Sequence, residues 1–398
     1  MTLNLPSGAG NAPTGSEVPF GATRTLSKEF NADTRGLALE VFSGTVLEQF
    51  YDQSVFYDRQ NQFISTKVLN GGHIAKWPII GDDLDLFNSL NADVSGGVGD
   101  FQNAADVGAE GGITAGYHTP GDFITGRKIK LSEKTVRCDD VLVAPIDVPF
   151  ADLDLSHFDV LTPFAAKLAR SLAQDLDRKI ATQIARAADE SGVTGVYPGG
   201  QKVTREVSGG AGIGSFFADT TAGADAFRDD VAALAQQFDE DNIPEEGRFL
   251  FIPPYIRRIL RNEKDIFDRD FNNASVVGSM NERAIGLLEG FQLIVTKNIP
   301  GNWATTTNGR YGFIDSNLAK YDFDHPLGST NDTRPAALAL TNAASGVAGV
   351  GMVQAAGIRT VIEDDERREV KFMKARMHVG LDTLAPWCAG MIEMKRTA

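Results

Sequence analysis

The sequence predicts an α+β fold, and three observations carry that prediction. A single helical hydrophobic period runs from Phe164 to about Glu190, far longer than an ordinary globular helix. Short runs with strand character stand before and after it, the order of a chain that leaves one domain and returns to it. The 41 glycines lie mostly outside the helical stretches and imply many turns and long connections. With 398 residues, 42% of them hydrophobic, the chain has material for one core or two modest ones.

Residues 1 to about 35 are polar and rich in Gly and Pro, the composition of an arm with no core of its own. Leu37 to Phe50 follows as a short amphipathic helix with Leu39, Phe42, Val46, Leu47 and Phe50 on one face. From about Phe56 to Val148 the pattern turns to extended chain with a Gly- and Asp-rich middle. Between Trp77 and Gly126 there is no Lys or Arg, while Asp82, Asp83, Asp85, Asp93, Asp100, Asp106, Glu110 and Asp122 are acidic. Lys67, Lys76, Arg127, Lys128 and Lys130 flank this middle, and Lys128 and Lys130 alternate with Ile129 and Leu131 as in a half-exposed strand. The expectation is a long β-hairpin leaving the body of the protein, too poor in apolar residues to stand alone in water.

Thr162 reads as an N-cap with Pro163 at the first helical position of the long helix. Its core face is Leu168, Leu172, Leu176 and Ile180, continued by Ile184 and widened by Ala165, Ala169 and Ala173; at 1.5 Å per residue it is roughly 40 Å long. Gly192 to Gly223 reads as a glycine-rich insert. Phe227, Val231, Leu234 and Phe238 mark a second amphipathic helix ending before Pro244. Arg248 to Pro254 is a short buried strand stopped by two prolines, with a helix from Tyr255 to Arg261 directly after it. Ile285 to Leu288 leads into a strand from Phe291 to Thr296. Strands return at Ile358 to Ile362, Val370 to Val379 and Trp387 to Met394. No charge occurs from Pro335 to Ile358, but Asn342, Ser345, Gln354 and four glycines make it a poor membrane helix, so it reads as buried loop and strand.

The formal net charge of −15 argues against a dedicated nucleic-acid reader, which needs clustered Lys and Arg. It suits the wall of a container, which gains by repelling packed DNA. Cys138 and Cys388 are too far apart for a CxxC spacing and read as buried thiols. The start of the chain lacks a basic, apolar signal segment, so folding in a cytoplasm is expected.

Catalytic signatures are absent: no P-loop, HExxH, GxSxG elbow or ordered Rossmann fingerprint. Gly209, Gly210, Gly212 and Gly214 form a cluster with no strong strand before it, so it reads as flexible insert rather than phosphate cradle. The histidines at 73, 118, 157, 325 and 378 share no ligand spacing. Asp322, Asp324 and His325 make half a metal site at most, and a solvated turn explains them as well. Asp139 with Asp140, and Asp152 with Asp154, read as surface charge on an edge strand or loop. No cofactor, no metal and no enzymatic activity are expected.

The order of elements, carried by ALEVFSGTVLEQFYDQSV (38–55), HIAKWPIIG (73–81), HFDVLTPFAAKLARSLAQDLDRKIATQIA (157–185), RFLFIPPYIRRIL (248–260) and GSMNERAIGLLEGFQLIVTKNIP (278–300), resembles the major capsid protein of tailed phages. Their fold is the Hong Kong 97-type capsid fold, and within that group the chain is most similar to podovirus coat proteins. The resemblance implies an N-terminal arm with a short helix (1–55) and an extended loop (56–148). It further implies a peripheral domain on a spine helix (149–224 with 349–398) and an axial domain (225–348). It implies self-assembly into pentamers and hexamers of an icosahedral head around double-stranded DNA, with portal and scaffolding proteins as partners, in a virion assembled in the host cytoplasm and with no membrane. It also implies noncovalent assembly. The same fold would suit a cellular protein-storage compartment, and an Asp-rich metal-dependent hydrolase is the rival from another class.

Charge segregation adds the last expectation. Arg367, Arg368, Lys371, Lys374 and Arg376 crowd the C-terminal strands, with Lys374, Arg376 and His378 on one face. The acidic middle of the extended loop is expected to dock there on an adjacent subunit; the competing account has Glu363, Asp364, Asp365 and Glu366 neutralising these bases within the subunit. Intersubunit candidates are therefore Lys67, Lys76, Lys128, Lys130, Asp82, Asp83, Asp85 and the five bases.

Overall fold

The computed structural model describes residues 15–16, 18–19, 44–57, 63–80, 131–138, 141–155, 161–192, 199–208, 220–241, 243–245, 247–260, 287–299, 310–311, 325–326, 333–341 and 348–397. The chain divides into two compact units, one of residues 1–53, 141–173 and 357–377 and one of residues 54–140, 174–356 and 378–398. The long helix and the two longest strands run through both.

In the first unit, helix α1 covers residues 44–53 and buries Val46 and Phe50, one turn apart on the face the hydrophobic spacing marked. It runs three residues past the expected end. Strand β4 (Val141–Pro149) lies at the edge of its sheet and carries two prolines, which an edge tolerates because their missing N–H groups face no partner. Helix α2 (Phe150–Leu155) follows at once and leaves Asp152 and Asp154 exposed. Those two acids thus sit on a short helix rather than on a strand or loop.

Helix α3 (Leu161–Asp189) is the predicted spine, 29 residues long. It begins one residue before Thr162, so Thr162 lies inside the first turn instead of capping it. Pro163 still costs nothing there, because N–H groups of a first turn have no intrahelical acceptor. Leu168, Leu172, Leu176, Ile180 and Ile184 are all buried, as are Ala165, Ala169 and Ala173.

The second unit centres on a six-stranded mixed sheet. Its strands are β5 (Gln201–Ser208), β6 (Phe249–Ile252), β7 (Leu287–Leu288), β8 (Phe291–Val295), β9 (Thr333–Leu340) and β12 (Ala389–Thr397), in the spatial order β5-β12-β9-β6-β8-β7. β5 runs parallel to β12, with Gln201 opposite Gly390 and Ser208 opposite Thr397. The segment read as a glycine-rich insert therefore contains a strand of the main sheet. Its sequence, QKVTREVS, is polar except at Val203 and Val207, as an edge strand can be, which is why hydrophobicity did not reveal it.

Helices α4 (Thr220–Glu240) and α5 (Pro254–Leu260) cover one face of this sheet. Phe227, Val231, Leu234 and Phe238 of α4 pack with Ile256 and Ile259 of α5 and with Leu250, Ile252, Phe291 and Ile392 of the strands. The other residues of β6, Phe249 and Phe251, point the opposite way and meet Phe56 and Phe63, with ring centroids 4.6 Å apart for Phe56–Phe251 and 4.7 Å for Phe63–Phe249. Burial on both faces explains why FLFI has no polar alternation. Between β7 and β8, Glu289 and Gly290 have φ of 47° and 82°, the two left-handed residues of a tight hairpin turn. Arg205 of β5 forks onto Asp230 of α4, with both N···O distances 2.6 Å, and fastens the edge strand to the helix layer.

Strands β1 (Ser65–Val68), β2 (Ile74–Ile80) and β3 (Leu131–Arg137) belong to the second unit. Strands β10 (Val350–Asp365) and β11 (Val370–Thr383) cross from one unit to the other. The uncharged stretch from Pro335 is strand at both ends, β9 and β10; it is buried over 335–340 and 350–353, whereas 354–358 alternates between half-buried and exposed. Among the described residues no helix is long and apolar enough to cross a membrane.

Candidate assembly surfaces

Two strands of the segment expected to form the extended hairpin, β2 and β3, are among the described residues. β2 and β3 pair antiparallel from Ile74 opposite Arg137 to Ile80 opposite Leu131. Ala75 and Trp77 from one arm and Val136 from the other point to one side, as strand alternation requires, and pack with Val353 and Leu384. The base therefore has internal partners, more than the composition of the whole segment implied. Leu69 N–H donates to the Gln354 carbonyl, and a Cβ at Gly380 would collide with the Arg137 carbonyl oxygen. Those contacts bring the hairpin backbone directly onto β10 and β11.

The predicted lysines of this region are engaged within the subunit. Lys67 donates to the Lys76 carbonyl and lies 4.3 Å over the Trp77 ring. Lys76 pairs with Glu133 across the hairpin at 2.6 Å, both side chains exposed. Lys128, Lys130, Asp82, Asp83 and Asp85 lie outside the described residues, as do Asp139, Asp140, Asp322, Asp324 and the glycine cluster at 209–214. Contrary to the expectation that no strand precedes it, that cluster follows β5 and comes before α4 in the chain.

The basic C-terminal strands are also met by acids of the same unit. Arg368 reaches Asp147 at 3.0 Å, Lys371 reaches Asp364 at 3.6 Å and Lys374 reaches Glu363 at 3.6 Å. Lys374, Arg376 and His378 occupy alternate, half-buried positions of β11, between buried Met373, Ala375, Met377 and Val379. Their shared face is as the alternation predicted.

Two polar centres were invisible to the sequence reading. One is Asp177, fully buried in the middle of α3. Its Oδ2 accepts from Val55 N–H at 2.8 Å and its Oδ1 from Phe56 N–H at 3.3 Å, while the Asn298 amide donates to Oδ2 at 3.4 Å. Burial pushes its carboxyl up to about 7, although the backbone and Asn298 hydrogen bonds pull the other way. It stands one position after Leu176 on the same buried side, so a helical wheel gave only the hint of a charge beside a core stripe.

The other centre lies at the C-terminal end of α3. Asp189 pairs with Lys202 of β5 at 2.8 Å, and Lys202 also reaches the buried Glu393 of β12 at 2.7 Å. Glu190 pairs with Lys134 of β3 at 3.4 Å and accepts from the Thr383 hydroxyl of β11 at 2.7 Å. Gly200 donates its N–H to the Glu190 carbonyl, and only glycine fits there because a Cβ would strike the Ala187 carbonyl oxygen.

Among the described residues no group of His, Cys, Asp or Glu is arranged to hold a metal ion. Cys388 is buried as expected, whereas Cys138 is only half-buried, packed against the edge of the Trp77 cluster.

A family model described as Gp10A-like major capsid protein matches residues 109–393. Among solved structures, the capsid of cyanophage P-SCSP1u aligns with a TM-score of 0.59 and 22% identity, over 84% of this chain and 86% of that one. The mature capsid of bacteriophage PhiM1 aligns with a TM-score of 0.60 and 13% identity, over 86% of this chain and 87% of that one. These likenesses give the fold, a Hong Kong 97-type arrangement of helix and strand. No curated protein sequence matches the chain.

Proposed function

The chain belongs to the Gp10A-like family of major capsid proteins and is a shell-forming subunit of a phage capsid, and from that premise we propose how it builds the shell. The family match over 109–393 is the observation that carries the reading. Copies associate with one another as a homo-oligomeric shell. In our reading they form pentamers and hexamers of an icosahedral, podovirus-like head, noncovalently, in the host cytoplasm, with portal and scaffolding proteins as partners and double-stranded DNA inside. Residues 1–55 serve as an arm, 56–148 as the extended loop, 149–224 with 349–398 as the peripheral domain and 225–348 as the axial domain. The role is structural, and no reaction is assigned to it. An acidic wall fits it: a net charge of −15 keeps packed DNA from adhering.

Overexpressed with its scaffold, the protein is expected to give closed shells by negative-stain microscopy and a large species by light scattering. A monodisperse monomer at high concentration refutes the reading, and shells that protect protein cargo instead of DNA favour a storage compartment.

The acidic middle of the loop (Asp82, Asp83, Asp85 and their neighbours) docks, in this proposal, on the basic face of β11 in an adjacent subunit. Charge segregation supports it; the internal pairs of Arg368, Lys371 and Lys374 limit it. Exposed pairs contribute only about 0–1 kcal/mol each, so single changes at Arg367, Arg368 or Lys371 leave assembly intact. The double variant Lys374→Glu, Arg376→Glu is expected to fold and to form shells that fall apart at lower salt than the parent. Shells of unchanged salt resistance would mean that the loop does not dock there.

A further inference from the structure

We infer that Glu190, at the C-terminal end of α3, is a positioning residue that locks the direction of the extended hairpin to the spine helix. Carboxylates at a helix C-terminus face the negative end of the helix dipole, an arrangement that disfavours them by itself. α3 nevertheless ends on two, Asp189 and Glu190, and each is answered by a different element. Asp189 holds Lys202 at the edge of the six-stranded sheet at 2.8 Å. Glu190 divides its two oxygens: Oε1 takes Lys134 of the hairpin arm β3 at 3.4 Å, and Oε2 takes the Thr383 hydroxyl at the end of β11 at 2.7 Å.

Lys134 lies on the same hairpin face as Val136 and is paired across the ladder with Trp77. Below it, the Trp77 cluster fixes the height of the hairpin over β10, and Gly380 lets the Arg137 backbone approach β11. Those apolar contacts are non-directional. The Lys134–Glu190 pair supplies what they lack, a directed link from the arm to the end of the long helix. Both side chains are about three-quarters shielded, at 29% and 28% exposure, so the pair is screened less than a surface bridge. A link near the base also has leverage, since a small rotation there is multiplied along two extended arms.

The inference rests on the capsid reading only in what the hairpin is for. It is tested by charge exchange: Lys134→Glu and Glu190→Lys singly, and both together. In the unassembled subunit, amide exchange in 74–80 and 131–137 is expected to quicken about fivefold in either single variant, while exchange in α4 stays as in the parent. With scaffold, the single variants should give shells of mixed diameter. The double variant, with its pair restored in reverse, should return both readouts to within about twofold of the parent. Unchanged hairpin exchange in the single variants overturns the inference, and so does a folded double variant that behaves as the sum of the two. If the parent itself builds no shells, it is the capsid reading that fails, and the exchange measurement still decides the role of Glu190.

Discussion

Replacing Leu172 or Leu176 by Asp is expected to remove the protein from the soluble fraction altogether. Both side chains are 1% exposed and lie on the buried stripe of α3 with Leu168 and Ile180. An aspartate at either site loses the burial of a leucine and places a carboxylate where no cation answers it among the described residues. Each mechanism alone costs a few kcal/mol, and together about 5 kcal/mol or more, a large share of a marginal stability. Leu172→Ala gives the graded control, about 2–5 kcal/mol by cavity formation, and should leave a folded protein with a lower melting temperature. Normal expression and an unshifted melting curve for either Asp variant would show that this face of the helix is not packed.

The spine helix was legible because its signal is periodic over many turns. Fourfold repetition of Leu and Ile from 168 to 184 leaves no competing strand or loop reading, and the structure buries every one of those positions. The FLFI strand was equally legible, since four apolar residues closed by two prolines fit a doubly buried strand. β5 was not. QKVTREVS is charged or polar at every position but Val203 and Val207, and what makes it a strand is its register along β12 and the Arg205 fork onto Asp230, both of them long-range facts. The helix start slipped by two residues, from Pro163 to Leu161, because Pro163 is compatible with several positions of a first turn. The base of the hairpin shows the same division. The extended character read over 56–148 fits the two strands seen at its ends, while the alternation at Lys128 and Lys130 falls outside the described residues; the cluster that seats these strands uses Val353 and Leu384, more than two hundred residues away in the chain, which no local pattern could supply. The basic positions on β11 were placed on the correct face, while the acids that meet them could be offered only as one of two accounts, because pairing depends on rotamers and strand register rather than composition.

Asp177 is the remaining expectation with a large effect, and its sign follows from burial. An aspartate in the unfolded chain titrates near 3.8, whereas in the folded protein burial pushes this one up to about 7. Between those values the folded state holds a proton that the unfolded state has released. Stability therefore falls as pH rises from about 4 to about 7 and levels off above, each unit of that interval weighing about 1.4 kcal/mol at most. Burial raises Asp230 as well, against the pull of its Arg205 partner, so the comparison of the parent with an Asp177 variant is what isolates the share of Asp177. The geometry also shows the remedy. Asn at this site removes the buried charge and keeps one oxygen, which in the Oδ2 position still accepts from Val55 N–H and the Asn298 amide, while its NH2 takes the Oδ1 position and gives up only the longer contact with Phe56 N–H at 3.3 Å. Asp177→Asn is expected to melt higher than the parent at pH 7.5 and to lose the fall in melting temperature between pH 5 and pH 7. Asp177→Ala leaves two N–H groups unanswered and should melt several degrees lower at both values. Parallel pH profiles for the parent and Asp177→Asn would mean that the carboxyl is ionised throughout, paired in the folded protein in a way these hydrogen bonds do not account for.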